Sequence, residues 1–386
     1  MKAIQHHICT ILNSYSGHIP LPAFLKLYFK KHPILGGKDR KILTEMAFVY
    51  YRWSKLIEIE SELYTRVLKC LKINLQFNSL KIDPKHPAYL YLEKYSQSIS
   101  ELIEKPSTFE ALFPYPIALS QDLSKATWLE HCCRQSLVFI RIVPKYYEDC
   151  LKILQASHLF FTPIERYCIA LESSIKIDAV LPDNYYRVQD YSSQKVIDYI
   201  NITNVHNAWD CCSGAGGKSL LFKEKAPHIP LLVSDVRKSI LHNLIERFKR
   251  YQIKNTQSLC LSAADITACQ SALKDQKFDL IIADVPCSGS GTWARSPEQL
   301  YFFDVQKITT YTQLQQDIVN NIVAYLNPGG LLLYITCSVF QKENEQQVQE
   351  FLQKHLSLRL EQSQFINGIP YAADMMYVAQ LRKVAV

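Results

Sequence analysis

Two cysteines occupy positions where thiol chemistry can take place. Cys287 and Cys337 are fifty residues apart in a chain of 386 residues, and each stands just after an apolar, strand-like run. Such runs, alternating with helical patterns, predict a parallel sheet. Because neighbouring parallel strands lie about 4.8 Å apart, the two thiols could flank one substrate. The structural alternative is a pair of buried cysteines at strand ends.

Methylation of carbon 5 of a pyrimidine is a reaction that uses such thiols. Carbon 5 is a poor nucleophile, so a thiolate first adds to carbon 6, and carbon 5 then attacks a methylsulfonium. The reaction needs a nucleophilic cysteine, an acid near the ring nitrogen and a group that assists release. Cys337, Asp284 and Cys287 supply these three types of group.

A glycine-containing loop follows the first strand of the predicted sheet. The chain has only 11 glycines, and three of them fall in this loop, at Gly214, Gly216 and Gly217. The loop fits neither a P-loop nor a dinucleotide-binding turn, because Cys212 and Ser219 stand where those motifs need glycine or alanine. The second strand ends at Asp235, an acid that can accept hydrogen bonds from ribose hydroxyls. Together these features predict a ligand with a ribose and no pyrophosphate, such as S-adenosylmethionine (SAM).

These residues need a sheet that brings strand ends together. From about residue 184 the pattern predicts an α/β fold, namely a Rossmann-like, mostly parallel sheet with helices on both faces. We expect strands over 205–211, 231–234, 258–263, 278–285 and 331–336. Ligands bind beyond the carboxyl ends of the strands in such sheets. The acids that end these strands, and both cysteines, would therefore meet at one edge.

Two further regions precede this domain. Residues 1–105 read as helical, because apolar residues recur at spacings of three and four. A proline-rich join follows, and residues 106–183 read as a small α/β segment with a strand over 136–143 and a helix over 146–156. We therefore predict three domains: 1–105, 106–183 and 184–386.

The helical region carries most of the positive charge. The chain has a formal net charge of +7, and eight basic residues stand against Asp39 and Glu45 between positions 22 and 55. Aromatic residues lie among them, and this combination suits a phosphate backbone with accessible bases. The candidate RNA-binding residues are Lys30, Lys31, Lys38, Arg40 and Lys41. The alternative is a solvated helix face over a core.

Composition excludes several classes of protein. No stretch approaches the roughly 18 consecutive apolar residues of a membrane span, and the first ten residues do not read as a signal peptide. We therefore expect a cytoplasmic protein with reduced thiols. No two of the 12 cysteines stand three apart, so no zinc knuckle or other metal site is predicted. The oligomeric state is open, with a monomer as the working expectation.

Several motifs together resemble one known family. The chain resembles the Sun (Fmu, RsmB-like) RNA cytosine-5 methyltransferases. The motifs are VQDYSSQ at 188–194, DCCSGAGGKS at 210–219, DVPCSGSG at 284–291 with Arg295 and Pro297, TCS at 336–338 and ENE at 343–345. The resemblance is strong over about 185–340 and weaker at 35–40 and around Arg141.

The resemblance implies a role for each matching residue. The SAM loop would comprise Cys212, Ser213, Gly214, Ala215, Gly216, Gly217 and Lys218. Asp235 would hold the ribose, Asp265 would lie by the adenine, and Asp284 would contact the cytosine and the methyl donor. In the family the cysteine of the Thr-Cys-Ser motif is the nucleophile, here Cys337. The cysteine of the Pro-Cys motif, here Cys287, assists release of the product.

The chain departs from the family pattern at two places. The family loop usually reads Ala-Ala-Pro-Gly-Gly-Lys-Thr, and here Ala215 replaces the proline; the tail after Asp374 lacks the usual Gly-Phe. The resemblance favours ribosomal RNA of the 16S type as substrate, with transfer RNA as the alternative. Two other hypotheses are a non-catalytic RNA-binding ribosome assembly factor and a SAM enzyme acting on DNA or a small molecule.

Overall fold

The computed structural model describes residues 2–57, 62–79, 109–165, 167–172 and 175–384. Most of the predicted proline-rich join, and the end of the predicted helical region, lie outside the described residues. The chain forms two compact units. The helical unit comprises residues 1–117, 122–135 and 292–305, and the two-sheet unit comprises residues 118–121, 136–291 and 306–386. The predicted domain boundaries stay predictions.

Helices and strands are numbered in chain order over the described residues. The α-helices are α1 Lys2–Ser14, α2 Leu21–Lys31, α3 Gly37–Trp53, α4 Leu63–Phe77, α5 Lys125–Cys133, α6 Tyr147–Ala156, α7 Tyr191–Lys195, α8 Gly217–Lys225, α9 Lys238–Arg250, α10 Ile266–Leu273, α11 Pro297–Tyr301, α12 Lys307–Ile322 and α13 Glu345–Lys354. The strands are β1 Val138–Ile142, β2 Phe161–Pro163, β3 Cys168–Leu171, β4 Tyr186–Val188, β5 Ala208–Asp210, β6 Leu231–Asp235, β7 Thr256–Cys260, β8 Phe278–Asp284, β9 Leu326–Thr336, β10 Leu358–Ile366 and β11 Met376–Lys383.

The helical unit is built from amphipathic helices around an aromatic core. The buried residues of α2 recur at helical spacing, at Leu21, Leu25, Tyr28 and Phe29. Trp53, Trp128 and Trp293 are fully buried. Since α1 to α4 occupy the predicted helical region, its helical character is confirmed over the described residues. No described helix is long and apolar enough to cross a bilayer.

The smaller sheet of the two-sheet unit has four antiparallel strands in the order β2-β3-β1-β4. Helix α6 packs on it, and its Cys150 and Leu154 join a core with Ile140, Ile142 and Ile169. The predicted strand over 136–143 and helix over 146–156 correspond to β1 and α6.

The larger sheet has seven strands in the order β10-β11-β9-β8-β5-β6-β7. Strands β5 to β9 are parallel, whereas β11 runs antiparallel to β9 and β10 antiparallel to β11. Strands β6 and β7 follow β5 towards one edge of the sheet, whereas β8 and β9 lie on the other side of β5. The strand order therefore reverses between β5 and β8. A crevice at such a switch point is where open α/β sheets bind ligands.

Both faces of the larger sheet are covered, as predicted. Alternate residues of a strand point to opposite faces, and β8 sends Leu280 and Ile282 to one core and Ile281 and Ala283 to the other. Helices α8 and α9 cover the first face, and α10, α12 and α13 cover the second. The predicted Rossmann-like fold preceded by a helical region is confirmed.

One predicted strand is misplaced at its end. The sequence predicts a strand over 258–263 that leads to Asp265, but β7 ends at Cys260. The Asp265 side chain instead accepts a hydrogen bond from the Ala268 backbone N at 2.9 Å and caps α10. An aspartate satisfies the free N–H groups at the start of a helix, and this local preference ends the extended segment early.

Candidate active site

The glycine loop joins β5 to α8, and one glycine fixes its shape. Gly216 precedes α8 with φ of +86°, in the left-handed region that favours glycine. A Cβ atom on Gly216 would lie 2.0 Å from Cδ1 of Leu244 on α9. Gly216 therefore allows α8 to start close against α9. Gly214 also has a positive φ, of +52°, but a Cβ there would meet only Arg237, at 3.8 Å.

Asp235, at the end of β6, is tied to this loop. Its Oδ2 accepts a hydrogen bond from the Gly214 backbone N at 3.0 Å, and its Oδ1 accepts from the Arg237 backbone N at 2.8 Å and from Nε at 3.0 Å. Burial would raise the pKa of Asp235, but the hydrogen bonds from Arg237 outweigh it and lower that pKa. Asp235 is thus held as a carboxylate by these donors, and its predicted role as the ribose-binding acid stays a prediction.

Two neighbours of Asp235 were not singled out from the sequence. The Arg237 guanidinium covers the carboxylate, and Val236 is 61% exposed at the same strand end. An exposed apolar side chain beside the acid predicted to bind ribose would suit the flat face of a purine. The position of Val236 directly after the acid can be read from the sequence, whereas the contact of Arg237 depends on its side-chain conformation.

Lys218 and Asp284 link the loop to the neighbouring strand. Lys218 lies in the first turn of α8, and its Nζ is 3.0 Å from Oδ2 of Asp284 at the end of β8. Burial would lower the pKa of Lys218, but the charge of Asp284, with a smaller contribution from Cys337, raises it. Both predicted residues therefore meet beside the thiol of Cys337.

Asp210 lies beneath this pair, at the end of β5. Its side chain is 1% exposed, and Oδ2 accepts a hydrogen bond from Ser219 Oγ. Burial raises the pKa of Asp210 to about 7, and the charge of Asp284 adds to the shift. The carboxyl groups of Asp210, Asp235 and Asp284 thus line three neighbouring strand ends.

The structure brings the two cysteines together. Strands β8 and β9 pair side by side, and the sulfur atoms of Cys287 and Cys337, which follow them, are 3.4 Å apart. Both side chains are half-buried. The hydrogen bond with Cys337, together with burial, raises the pKa of Cys287 well above its ordinary value. Cys287 therefore keeps its proton to a higher pH than an ordinary thiol.

The two cysteine loops are also joined through their backbones. The backbone N of Gly291 donates to the Cys337 carbonyl at 2.9 Å, and the Met375 backbone N donates to the Gly291 carbonyl at 2.9 Å. A Cβ atom on Gly291 would lie 2.1 Å from the Met375 oxygen. Only glycine allows the loop after Cys287 to pass this close to the loop of Cys337.

Two groups of predicted residues lie elsewhere. Asp265 caps α10, and its predicted contact with adenine stays a prediction. In the helical unit, helices α2 and α3 carry the five predicted RNA-binding residues. Four of them are exposed, namely Lys30, Lys31, Lys38 and Lys41. Arg40 is half-buried, because its Nε donates to the Leu35 carbonyl at 2.8 Å. Among the described residues, no group of three His, Cys, Asp or Glu side chains is arranged to hold a metal ion.

Solved structures share this fold. The structure of PH0851 superposes with a TM-score of 0.72 at 19% identity, covering 94% of this chain and 95% of that chain. NSun6 from Pyrococcus horikoshii, solved with SFG, superposes with a TM-score of 0.57 at 14% identity, covering 73% and 98%. A methyltransferase homologue from Pyrococcus horikoshii superposes with a TM-score of 0.57 at 18% identity, covering 74% and 98%. The fold and strand order of the larger sheet are those of a class I methyltransferase.

Sequence comparison finds one similar family and several similar curated proteins. A family model described as "16S rRNA methyltransferase RsmB/F" matches residues 198–381. The proteins named ribosomal RNA small subunit methyltransferase B of Yersinia pseudotuberculosis and Yersinia pestis are 34% identical over 173 residues, which make up 45% of this chain and 39% of each relative. The match thus spans well under half of these curated relatives. Residues 198–381, just under half of the chain, are thus similar to the RsmB/F family, and the predicted resemblance to the Sun family is confirmed there.

Proposed function

We propose that this protein is a SAM-dependent RNA methyltransferase that makes 5-methylcytosine through a covalent bond between Cys337 and the base. The observation that carries the proposal is the 3.4 Å separation of the Cys287 and Cys337 sulfurs, with the Lys218–Asp284 ion pair beside them. One substrate ring can meet both thiols and the carboxylate at this strand edge.

The residues present fit SAM. Its ribose hydroxyls would donate hydrogen bonds to Asp235 in place of the Arg237 side-chain N–H groups that bind this carboxylate here. The loop from Cys212 to Lys218 would wrap the remainder of the molecule, and Asp265 would approach the adenine. When bound, SAM supplies an electrophilic methyl group.

The side chains divide the chemistry among them. Cys337 ionises and its thiolate forms a bond to carbon 6 of the cytosine, while Asp284 contacts the ring and Lys218 balances the charge. Carbon 5 then carries the electron pair that takes the methyl group. A water molecule then takes the carbon 5 proton, the electron pair of that C–H bond restores the 5,6 double bond, and the carbon–sulfur bond breaks to free the Cys337 thiolate. Cys287 assists this last step.

The proposed substrate is ribosomal RNA, because the curated relatives carry that substrate in their names. Transfer RNA is the alternative. A cytosine inside a helix must be unstacked, or already single-stranded, before Cys337 can reach carbon 6. We assign the basic residues of α2 and α3 to affinity for the phosphate backbone rather than to choice of base.

Nucleoside mass spectrometry tests the proposal. Unmodified ribosomal and transfer RNA are incubated with SAM and the wild-type protein, Cys337→Ala or Cys260→Ala, which changes an exposed cysteine. We expect 5-methylcytosine with wild type and Cys260→Ala and none with Cys337→Ala. If the wild-type protein methylates neither RNA pool nor staged ribosomal particles, the enzyme proposal is wrong and the RNA-binding assembly factor replaces it.

A further inference from the structure

A buried acid lies next to the two cysteine loops. Glu343 is fully buried, at 0% exposure, and ends the short turn Gln341–Glu343 that follows Cys337. A buried carboxyl group is costly unless it is hydrogen-bonded. Burial raises the pKa of Glu343, and hydrogen bonds from Ser288 and Ser338 oppose that shift.

The hydrogen-bond donors to Glu343 come from both catalytic loops. The Ser288 backbone N donates to Oε1 at 2.8 Å, and Ser288 Oγ donates to Oε2 at 2.5 Å. Ser338 Oγ donates to the same Oε2 at 2.5 Å. Ser288 directly follows Cys287, and Ser338 directly follows Cys337. One carboxylate therefore binds the residue next to each cysteine.

Other side chains hold this carboxylate in place. Nε2 of Gln315, on α12, donates to Glu343 Oε1 at 3.2 Å and to the Pro286 carbonyl at 3.0 Å. The Tyr334 hydroxyl donates to the Glu343 carbonyl at 2.7 Å. Gln315 and Tyr334 are fully buried, so Glu343 has little freedom to move.

We propose that Glu343 is a positioning residue that, by joining Ser288 to Ser338, sets the distance and orientation of the Cys287 and Cys337 thiols. It touches no reacting atom. Its consequence for catalysis rests on the proposed function, in which Cys337 binds the base and Cys287 then assists release from the same base. The distance and orientation of the two thiols can be tested without measuring methyl transfer.

Hydrogen bonding and charge can be separated at this position. In Glu343→Gln the amide oxygen can accept from the Ser288 backbone N and from Gln315, and the amide NH₂ can donate to both serine hydroxyls. This variant keeps the connections and removes the charge. Glu343→Ala removes both, and the matched control Glu350→Gln removes a charge from an exposed glutamate on α13.

The test measures how fast dibromobimane, which links two neighbouring thiols, bridges Cys287 to Cys337 in the full-length protein without RNA or SAM. Peptide mass spectrometry identifies the bridge, and alkylation of exposed Cys260 calibrates the reagent. We expect bridging at least five-fold slower than wild type in Glu343→Ala, and within two-fold of wild type in Glu343→Gln and Glu350→Gln. Wild-type bridging in Glu343→Ala would overturn the proposal, as would a loss in Glu343→Gln equal to that in Glu343→Ala.

A second variant covers the case in which Glu343→Ala does not fold. Ser338→Ala removes one donor and leaves the carboxylate with Ser288 and Gln315; we expect bridging two- to five-fold slower than wild type, and an unchanged rate would overturn the proposal. Methyl transfer is measured separately on the same proteins. Slower bridging in a protein that never methylates RNA would support the positioning role and contradict the proposed function.

Discussion

Two carboxyl groups at the ends of neighbouring strands meet opposite surroundings. Asp210 is shut away from water and has a raised pKa, whereas Asp235 accepts several N–H donors and has a lowered pKa. Environment rather than residue type therefore separates them. Asp235 is therefore an anion at neutral pH, whereas Asp210 changes its charge near neutral pH.

Asp210 should make stability depend on pH. Its pKa of about 7 in the folded protein lies above the usual value of about 3.9, so its contribution is present at low pH and is lost as pH rises through 7. Asp210→Asn keeps an acceptor for Ser219 and cannot ionise. Its free energy of unfolding relative to wild type should therefore increase between pH 5 and pH 8 in urea titrations. A difference that does not change with pH would contradict this assignment.

At the scale of single residues, the sequence predicts those site residues that local sequence signals mark. The two cysteines, Asp284 and the glycine loop were found because strand ends and glycine spacing are local signals. Glu343 received no role, because its partners Ser288 and Gln315 are far away in sequence. The Arg237 contact with Asp235 also depends on a side-chain conformation that spacing does not give.

At the scale of elements, the start of α8 depends on a glycine in a left-handed conformation. Gly216 and Gly214 both have a positive φ, but only at Gly216 would a Cβ atom collide with α9. Both alanine variants carry a backbone cost of about 1–2 kcal/mol. Gly216→Ala should lose about 1–3 kcal/mol more through overpacking. Thermal or urea unfolding of the two variants checks this, and equal losses would contradict it.

A short segment from early in the chain supports the Cys337 loop. Ser120 is 1% exposed, its Oγ accepts a hydrogen bond from Asn344 Nδ2 at 2.7 Å, and its backbone N donates to the Val339 carbonyl at 2.8 Å. Asn344 in turn donates to the Ser338 carbonyl at 2.9 Å. Residues 118–121 thus form part of the framework behind Cys337.

Ser120→Ala should therefore be costly. Loss of the hydroxyl leaves one N–H of the buried Asn344 amide without its partner, which costs about 1–3 kcal/mol of unfolding free energy. The control Ser157→Ala changes an exposed serine and should stay within about 0.5 kcal/mol of wild type. Urea unfolding of both variants measures the difference. A Ser120→Ala variant as stable as the control would contradict the supporting role.

Periodicity predicted most elements because apolar residues at spacings of two or three to four report burial directly. It failed at the end of β7, where capping of α10 by Asp265 overrides the extended pattern. It also gave no sign that residues 118–121 pair with the segment after β9, since a single bridge between Leu119 and Phe340 has no periodicity.

At the scale of the whole molecule, the predicted RNA-binding lysines and the two proposed catalytic cysteines lie in different units. The exposed lysines of α2 and α3 lie in the helical unit, whereas Cys287 and Cys337 lie in the two-sheet unit. Local composition predicted the two kinds of region. It could not predict that residues 292–305, which directly follow the Cys287 loop, belong to the helical unit, because that grouping depends on long-range packing.

Charge reversal tests the RNA-binding assignment. Lys30→Glu, Lys31→Glu and Lys41→Glu combined should weaken RNA binding and make it less dependent on salt, with the slope of log affinity against log salt smaller by about two. The control reverses three exposed lysines of the two-sheet unit, Lys254, Lys274 and Lys354. Filter binding across a salt series measures both. Equal effects of the two triple variants would remove the specific role of α2 and α3.

The central claim is that Cys337 attacks the base and Cys287 assists its release, and trapping of the covalent intermediate tests it most directly. Cys287→Ala, Cys337→Ala and wild type are each incubated with RNA and SAM, separated under denaturing conditions and mapped by peptide mass spectrometry. The account predicts RNA bound to Cys337 in Cys287→Ala, little adduct in wild type and none in Cys337→Ala. An adduct on Cys287 in the Cys337→Ala protein, or methylation by that protein, would contradict it.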